Sequence, residues 1–252
     1  MLEVGRLVKR FGGVCAVDDV SFTLRAGTIT GLIGPNGAGK TTLFDTIAGV
    51  HRPTSGEIAF QGRPVGGLAP HRVFRRGLAR TFQIPRPFAG MTVLENAMLV
   101  PSRQAGERFW NNWVARGRVR TEERRHRARA HEVLDFVGLD RLAGEPAKNL
   151  SGGQQKLLEL ARVLMADPKL ILLDEPGAGV NPTLLLAITG KLRELHARGI
   201  TFLVIEHNMD LVMNLCDPIL VMAQGRLLME GTPDAVRSDP RVLEAYLGGA
   251  AA

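Results

Sequence analysis

Long apolar runs, cysteines and targeting segments are scarce in this sequence. No apolar run approaches the ~18 residues that a membrane span needs, and the N-terminus lacks the pattern of a signal peptide. The two cysteines, Cys15 and Cys216, lie in apolar segments and show no metal-ligand spacing. We therefore expect a cytosolic chain that does not itself cross a bilayer, with buried, reduced thiols and no disulfide framework.

Internal repeats, long low-complexity segments and sustained heptads are absent as well. What remains is an ordinary globular composition of 252 residues, 45% of them hydrophobic, enough for one large or two modest domains. The formal net charge of +7 suits nucleic acid, anionic lipid headgroups or no particular partner.

A glycine-rich run follows the apolar segment 29–33, which we interpret as a strand. The run reads Gly34-Pro35-Asn36-Gly37-Ala38-Gly39-Lys40-Thr41-Thr42 and fits the pattern G-x-x-x-x-G-K-[ST]. Backbone N–H groups of such a loop cradle phosphate oxygens, and the helix predicted to follow points its positive end at them. Lys40 can reach the β- and γ-phosphates, and the Thr41 hydroxyl can ligate Mg²⁺.

Apolar periodicity predicts the surrounding architecture. Alternation over residues 1–27 indicates antiparallel strands, and 57–60 is typical of another. The fully apolar segments 170–173, 202–205 and 219–222 predict a buried, mostly parallel sheet. Between these parts, an apolar stripe predicts a helix that ends at Gly138.

Two carboxylates end the predicted strand 170–173. Asp174 and Glu175 would lie at the carboxyl edge of the sheet, where α/β folds bind ligands. Asp174 can hold the Mg²⁺ shell, and Glu175 can orient an attacking water or accept its proton. His207, which follows the strand 202–205, could lie at the same edge and sense the γ-phosphate.

A second glycine-containing helix start lies at residues 151–155, Ser151-Gly152-Gly153-Gln154-Gln155. Ser151 and Gln154 match a capping box, which predicts a helix start. The two glycines would leave bare N–H groups at a positive helix end, a second anion site. Two separate phosphate sites suggest that ATP is held between two subunits.

Together these residues resemble the ATP-binding cassette (ABC) family over nearly the whole chain. Residues 34–42 resemble its Walker A loop, 170–174 its Walker B strand with Glu175 as catalytic base, and 151–155 its signature motif. His207 resembles the switch histidine, and Gln83 the Q-loop glutamine that contacts Mg²⁺ or water. The resemblance implies Mg²⁺ and ATP as ligands. It also implies a head-to-tail dimer in which each ATP lies between Walker A of one subunit and the signature of the other.

The resemblance also implies the fold and the subdomains. It implies a P-loop NTPase α/β fold with a mixed central sheet, an N-terminal antiparallel β-subdomain and an inserted α-helical subdomain. One ABC ATPase domain would then cover 1–252, with 1–84 and 165–252 as catalytic core and 85–164 as the helical subdomain. Phe11 stands where the family stacks an aromatic ring on adenine. Asn181 departs from the aspartate common at its position, which puts the details of cross-dimer communication in doubt, and Asn208 stands where aspartate is common after the histidine.

Within the family, the chain is similar to ATPase subunits of importers for branched-chain or hydrophobic amino acids. The similar stretches are ARTFQIPRP (79–87), AGMTVLENAM (89–98), EPGAGVNP (175–182), EHNMDLVMNLC (206–216), EGTP (230–233) and EAYLG (244–248). This implies permease partners, an indirect link to a periplasmic or extracellular binding protein, and a peripheral location at the cytoplasmic face of the membrane. The dimer would be homomeric or paired with a sister ATPase.

Arginine dominates the segment 103–131, and Trp110 and Trp113 lie within it. A solvated helix face, a surface toward membrane subunits or lipid, and nucleic-acid binding all remain open there. The arginines are Arg103, Arg108, Arg116, Arg118, Arg120, Arg124, Arg125, Arg127 and Arg129.

Two other functions compete with amino acid import. One is a lipopolysaccharide-export ATPase, and the other is a soluble ABC protein acting on nucleic acid or ribosomes. The soluble class usually has two cassettes or long coiled-coil insertions, whereas this chain has a single cassette and no heptad repeat.

Overall fold

The computed structural model describes residues 1–81, 86–101 and 116–248. The chain divides into two compact units. The first comprises Met1–Arg80, Lys169–Ala178 and Thr189–Ala252, and the second comprises Thr81–Pro168 and Gly179–Ile188.

Strands and helices alternate from Leu170 to Ala223, and elements of one kind follow one another in much of the rest of the chain. The strands are β1 (Leu2–Phe11), β2 (Val14–Leu24), β3 (Ile29–Ile33), β4 (Ser55–Phe60), β5 (Arg63–Pro64), β6 (Leu78–Arg80), β7 (Leu170–Asp174), β8 (Thr201–Ile205), β9 (Ile219–Ala223) and β10 (Arg226–Gly231). The helices are α1 (Lys40–Ile47), α2 (Pro70–Phe74), α3 (Val93–Met98), α4 (Arg116–Val137), α5 (Gly152–Leu164), α6 (Pro182–Ala197), α7 (Met209–Leu215), α8 (Pro233–Ser238) and α9 (Pro240–Gly248). In the part of the chain that the structure describes, no helix is both long and apolar enough to cross a membrane.

The strands of the first unit form two sheets, as the sequence predicts. One is antiparallel, in the order β2-β1-β4-β5, with Leu2 opposite both Leu24 and Phe60. The other has the order β10-β9-β3-β8-β7-β6 and is parallel except for the β9–β10 pair. The expected antiparallel N-terminal strands and mixed central sheet are therefore confirmed.

Burial of apolar side chains places the central strands in the interior of the fold. Every residue of β3, β7 and β8 is buried, which suits a sheet covered on both faces. In register, Asp174 of β7 lies beside Ile205, the last residue of β8, so both strands end at one edge. Phe44 of α1, fully buried, joins the core that fills the space between the two sheets. Burying one such ring contributes about 1.5–3 kcal/mol.

The second unit is helical. The stripe on α4 that the sequence predicts is buried, and the helix ends at Gly138, whose φ of 80° only glycine adopts easily. The basic first half of α4 keeps Arg120, Arg124 and Arg127 exposed. Exposure of these arginines agrees with all three alternatives for the segment, and residues 103–115 lie outside the described residues. The stripe consists of Ala130, Val133, Leu134 and Val137.

Cys216 and Cys15 differ in burial. Cys216 is buried, as expected, and burial raises the pKa of its thiol to about 12. Cys15 is only half-buried, and its thiol donates to the carbonyl of Val17 at 3.3 Å. The expectation of two buried thiols is thus wrong for Cys15, because β2 is an edge strand of its sheet and leaves this position partly accessible.

Candidate functional site

The glycine-rich loop connects the end of β3 to the start of α1. A Cβ atom on Gly34 would lie 2.1 Å from the carbonyl oxygen of Met222, and one on Gly39 would lie 2.2 Å from that of Ala16. Both glycines also have positive φ, 149° and 96°. Backbone crowding therefore excludes any other residue at these two positions. Because the residue before α1 has no side chain to cap it, the first N–H groups of α1 are available to an anion.

Lys40, the first residue of α1, is buried, with only 6% of its surface exposed. Its Nζ donates to the carbonyls of Gly34 at 2.7 Å and Pro35 at 2.9 Å, so the ammonium lies inside its own loop. Burial lowers the pKa of Lys40, while the charges of Glu175 and Asp174 oppose that shift. One cation therefore faces two carboxylates that come from a distant part of the sequence.

Asp174 ends β7 and is held by an arginine that the sequence analysis assigned no role. Nη2 of Arg80, the last residue of β6, donates to Oδ2 of Asp174 at 3.0 Å. Nη1 of the same guanidinium contacts Asp45 of α1. Burial raises the pKa of Asp174, and the hydrogen bond and charge of Arg80 oppose that rise. Arg80 thus links the strand that carries Asp174 to the helix that follows the loop.

Glu175 and His207 come together at the carboxyl edge of the sheet. Nε2 of His207 lies 3.0 Å from Oε1 of Glu175. Glu175 has a φ of 49°, a left-handed conformation that costs a non-glycine residue about 1–2 kcal/mol. Such strain clusters at functional sites because the surrounding structure must hold it in place. The left-handed turn at Glu175, which sets the direction of this carboxylate, was not predicted from sequence.

Phe11 ends β1 in the same unit. Its ring is 43% exposed and makes an edge contact with His51, 5.0 Å between centroids. The Lys9 amine lies 4.6 Å from the ring centre. His51 in turn lies 3.9 Å from Oδ2 of Asp45. An accessible ring fits the expected stacking on adenine, which stays a prediction.

The signature segment belongs to the second unit, at the start of α5. Oγ of Ser151 accepts from the Gln154 N–H at 3.3 Å, and Oε1 of Gln154 accepts from the Ser151 N–H at 2.9 Å. This is the capping box that the sequence predicts. A Cβ on Gly152 would meet nothing within 4 Å, whereas one on Gly153 would lie 2.1 Å from Cδ2 of Leu184.

Two asparagines that depart from the family pattern cap helices. The side chain of Asn208 accepts from the Leu211 N–H at 3.1 Å at the start of α7. Asn181 accepts from the Leu184 N–H at 2.8 Å at the start of α6. Asparagine caps a helix as well as aspartate does, so both substitutions preserve the local fold.

The remaining predicted site residues lie either in the glycine-rich loop and the start of α1 or outside the described residues. Asn36 is exposed, Ala38 is buried, and the Thr42 carbonyl accepts from the Thr46 hydroxyl at 2.7 Å. Gln83, expected near Mg²⁺, lies outside the described residues.

The donor set near the loop fits Mg²⁺ bound through a nucleotide. Among residues 1–81, 86–101 and 116–248, no group of three or more His, Cys, Asp or Glu side chains could hold a metal by itself. Mg²⁺ is commonly held by one or two protein oxygens together with substrate phosphates and water. The exposed hydroxyl of Thr41 and the carboxylate of Asp174 are oxygens of that kind.

Comparisons with known proteins place this site among transport ATPases. A family model described as ABC transporter matches residues 17–178, and one described as branched-chain amino acid ATP-binding cassette transporter matches residues 226–252. A probable branched-chain amino acid transport ATP-binding protein LivG of Archaeoglobus fulgidus is 42% identical, over 98% of this chain and 95% of that protein. The high-affinity branched-chain amino acid transport ATP-binding protein BraF of Pseudomonas aeruginosa is 41% identical, over 99% and 98%. A crystal structure of a nucleotide-free ATP-binding cassette from an ABC transporter superposes with a TM-score of 0.84 at 39% identity, covering 97% of this chain and 98% of that one.

Proposed function

The chain belongs to the ABC transporter ATP-binding family, and we propose that it powers the import of branched-chain or other hydrophobic amino acids through a separate permease. As a member of this family it is an ATPase whose hydrolysis is coupled to transport. The relatives and the match at residues 226–252 favour amino acid import over lipopolysaccharide export or action on nucleic acid.

One observation carries the proposal for the reaction. The Glu175 carboxylate lies 3.0 Å from the His207 ring, at the edge of the sheet where the Lys40 loop also begins. A base, a partner for that base and a phosphate-binding cation therefore converge within the first unit. This is the set of groups that phosphoryl transfer to water needs.

Each of these groups has a distinct proposed role. Lys40 and the N–H groups at the start of α1 bind the phosphates of ATP. Glu175 accepts the proton of the attacking water while the oxygen bonds to the γ-phosphorus. The bond from the γ-phosphorus to the bridging oxygen breaks, which releases ADP and phosphate. His207 holds the Glu175 carboxylate and faces the γ-phosphate. Thr41, Asp174 and Gln83 would hold Mg²⁺, which supplies positive charge to the phosphate oxygens.

We further propose the assembly in which this site works. Ser151, Gly152, Gly153 and Gln154 bind the ATP of a partner subunit, so the working unit is a homodimer or a pair with a sister ATPase. Permease subunits would keep it at the cytoplasmic face of the membrane, with a substrate-binding protein acting on the other side. Residues 85–164 would act as the helical subdomain of a single ABC ATPase domain.

Glu175→Gln tests the proposed reaction. The variant should bind ATP like the wild type, because Lys40 and the loop are unchanged, and hydrolysis should fall ~10²–10⁴-fold because the general base is gone. Glu194→Gln, at an exposed carboxylate on α6, is the matched control and should keep wild-type turnover. Near-normal ATPase activity of Glu175→Gln would refute the assignment.

Uptake by cells tests the proposed substrate class. A strain that lacks this gene should lose ATP-dependent uptake of radiolabelled leucine or a similar amino acid, and the wild-type gene, but not Glu175→Gln, should restore it. The protein should also co-purify from membranes with a two-subunit permease. Normal amino acid uptake in the deletion strain, together with a defect in lipopolysaccharide export, would instead favour the export alternative.

A further inference from the structure

Glu206 is a buried carboxylate beside the proposed site that the sequence analysis assigned no role. It follows β8 directly, and only 4% of it is exposed. A carboxylate is rarely buried to this extent without partners that offset its lost hydration. In the part of the chain that the structure describes, it accepts from three backbone N–H groups, which belong to two different loops.

One oxygen of Glu206 holds the turn that follows β7. Oε1 accepts from the Gly177 N–H at 2.6 Å. Gly177 is the third residue of a turn that begins at Glu175 and closes with the Ala178 N–H donating to the Glu175 carbonyl at 3.1 Å. The proposed base is therefore the first residue of a turn that Glu206 holds.

The other oxygen of Glu206 holds the loop that carries the histidine. Oε2 accepts from the N–H groups of His207 at 3.1 Å and Asn208 at 3.4 Å. One carboxylate thus holds the backbone on both sides of the contact between Glu175 and His207.

The left-handed backbone of Glu175 makes this support necessary. A φ of 49° is strained for a glutamate and persists only where neighbouring groups over-determine it. The Glu175 N–H is held by the Ile205 carbonyl at 2.9 Å on one side of the residue. On the other side, Glu206 accepts from the Gly177 N–H, within the turn that the Ala178 N–H closes onto the Glu175 carbonyl.

We propose that Glu206 is a positioning residue, which holds the Glu175 carboxylate and the His207 ring in hydrogen-bond contact by binding both of their loops. The inference rests on the proposed function of Glu175 and His207 but assigns Glu206 no contact with ATP. It follows that Glu206 acts on the rate of hydrolysis and not on nucleotide binding.

Glu206→Gln tests this role at nearly constant side-chain volume. The amide keeps one acceptor oxygen but presents an NH₂ donor where the second carboxylate oxygen met an N–H group. One of the two loops should therefore be released. A displacement of about 1 Å at a reacting group can cost ~10²-fold, so kcat should fall ~10–100-fold while KM for ATP stays at its wild-type value. Glu159→Gln, at another buried glutamate, is the matched control and should keep the wild-type kcat.

A double-mutant cycle separates positioning from a general loss of stability. In a His207→Ala background the contact is already gone, so Glu206→Gln should lower kcat by a smaller factor than it does in the wild type. A merely structural role would instead multiply the two losses and lower the unfolding midpoint in proportion. Multiplicative losses, or an unchanged kcat in the single variant, would overturn the proposal.

The histidine ring provides a readout that does not depend on ATPase activity. The ring signals of His207 in the ¹H–¹⁵N spectrum are identified as those missing from the spectrum of His207→Gln. We expect those signals to shift in both Glu206→Gln and Glu175→Gln, since each variant breaks the same contact. An unmoved His207 signal in Glu206→Gln would refute the positioning role. If the wild-type protein hydrolyses no ATP but the His207 signals still shift in Glu206→Gln as expected, the proposed reaction alone would be refuted.

Discussion

The two glycine-rich helix starts of this chain, before α1 and at α5, look alike in sequence but differ in physical construction. At α1 the backbone enforces glycine, because added Cβ atoms would collide with the carbonyl oxygens of Met222 and Ala16. At α5 neither Gly152 nor Gly153 has positive φ, and what a Cβ on Gly153 would meet is the flexible side chain of Leu184. Backbone collisions therefore require glycine at the first start, whereas at the second start the backbone does not require it.

Capping shows the same contrast. The start of α1 has no side-chain cap, and Lys40 supplies the nearby charge. The start of α5 has a complete capping box, in which Ser151 and Gln154 satisfy each other's N–H groups. The uncapped N–H groups and the Lys40 ammonium at the α1 start therefore suit an anionic ligand bound by one chain. At α5 the capping box already satisfies the N–H groups of Ser151 and Gln154, and we propose that this start completes a site on another subunit.

Among the substitutions at the two helix starts, Lys40→Ala should have the largest effect on ATP binding and hydrolysis. It removes the ammonium that lies in the loop, so ATP affinity and hydrolysis should both collapse, unlike in Glu175→Gln, which keeps affinity. Lys169→Ala removes an exposed lysine of the same unit and should change neither quantity. A nucleotide titration and an ATPase assay measure the difference. Wild-type affinity and turnover in Lys40→Ala would contradict the proposed phosphate site.

Gly39→Ala and Gly152→Ala compare the two backbones directly. Alanine at position 39 would take a φ of 96° and approach the Ala16 carbonyl, so the loop must distort. The left-handed conformation alone costs about 1–2 kcal/mol. If the free loop relaxes this strain by leaving its phosphate-binding shape, restoring that shape on binding should cost roughly a tenfold loss of ATP affinity. Gly152→Ala meets open space within a helix and should bind ATP normally. Isothermal titration decides the comparison, and equal affinities in the two variants would refute the steric argument.

Gly153→Asp should act on the partner's nucleotide. At a surface-like dielectric, two like charges ~4 Å apart repel by about 4 kcal/mol, more than the ~1.4 kcal/mol of a tenfold effect. The variant should bind ATP as a monomer but neither dimerise nor hydrolyse it. Gly153→Ala isolates the collision with Leu184, which is the end of a movable side chain, and should lose far less activity.

Mixing subunits sharpens the same prediction. In a dimer of Gly153→Asp with Lys40→Ala, both lesions meet at one composite site and the other site is intact. Partial ATPase activity should return, provided that one site can work alone. Full activity and ATP-dependent dimerisation of Gly153→Asp by itself would show that the two-subunit site is wrong for this protein.

The sequence predicts the fold and the motif residues because their signals are local. Continuous apolar segments indicate β3, β7 and β8, and spacing alone picks out the loop and the capping box. The resemblance then adds the order of the motifs.

What sequence reasoning missed depends on contacts between distant positions. The pair of Arg80 and Asp174 joins residues 94 positions apart, and the bond from Gly177 to Glu206 spans 29. A single arginine or glutamate at a strand end has no local pattern that would indicate its partner. The pairing of β6 with β7 brings Arg80 to Asp174, and that of β7 with β8 brings the Gly177 N–H to the Glu206 carboxylate.

Ser151→Ala should have a small effect on stability, and a second capping box in the same unit provides its control. Thr92 at the start of α3 exchanges hydrogen bonds with Glu95, at 3.1 Å and 2.8 Å, just as Ser151 does with Gln154. Loss of either cap should cost about 1 kcal/mol of stability. If both residues are only caps, Thr92→Ala and Ser151→Ala should lower the unfolding midpoint and the ATPase rate alike. If Ser151 also donates its hydroxyl to the partner's ATP, Ser151→Ala alone should reduce turnover and ATP-dependent dimerisation at a temperature where both variants are folded. Matching ATPase rates in the two variants would confine Ser151 to capping and leave Gly152 and Gly153 as the parts of the segment proposed to reach the nucleotide.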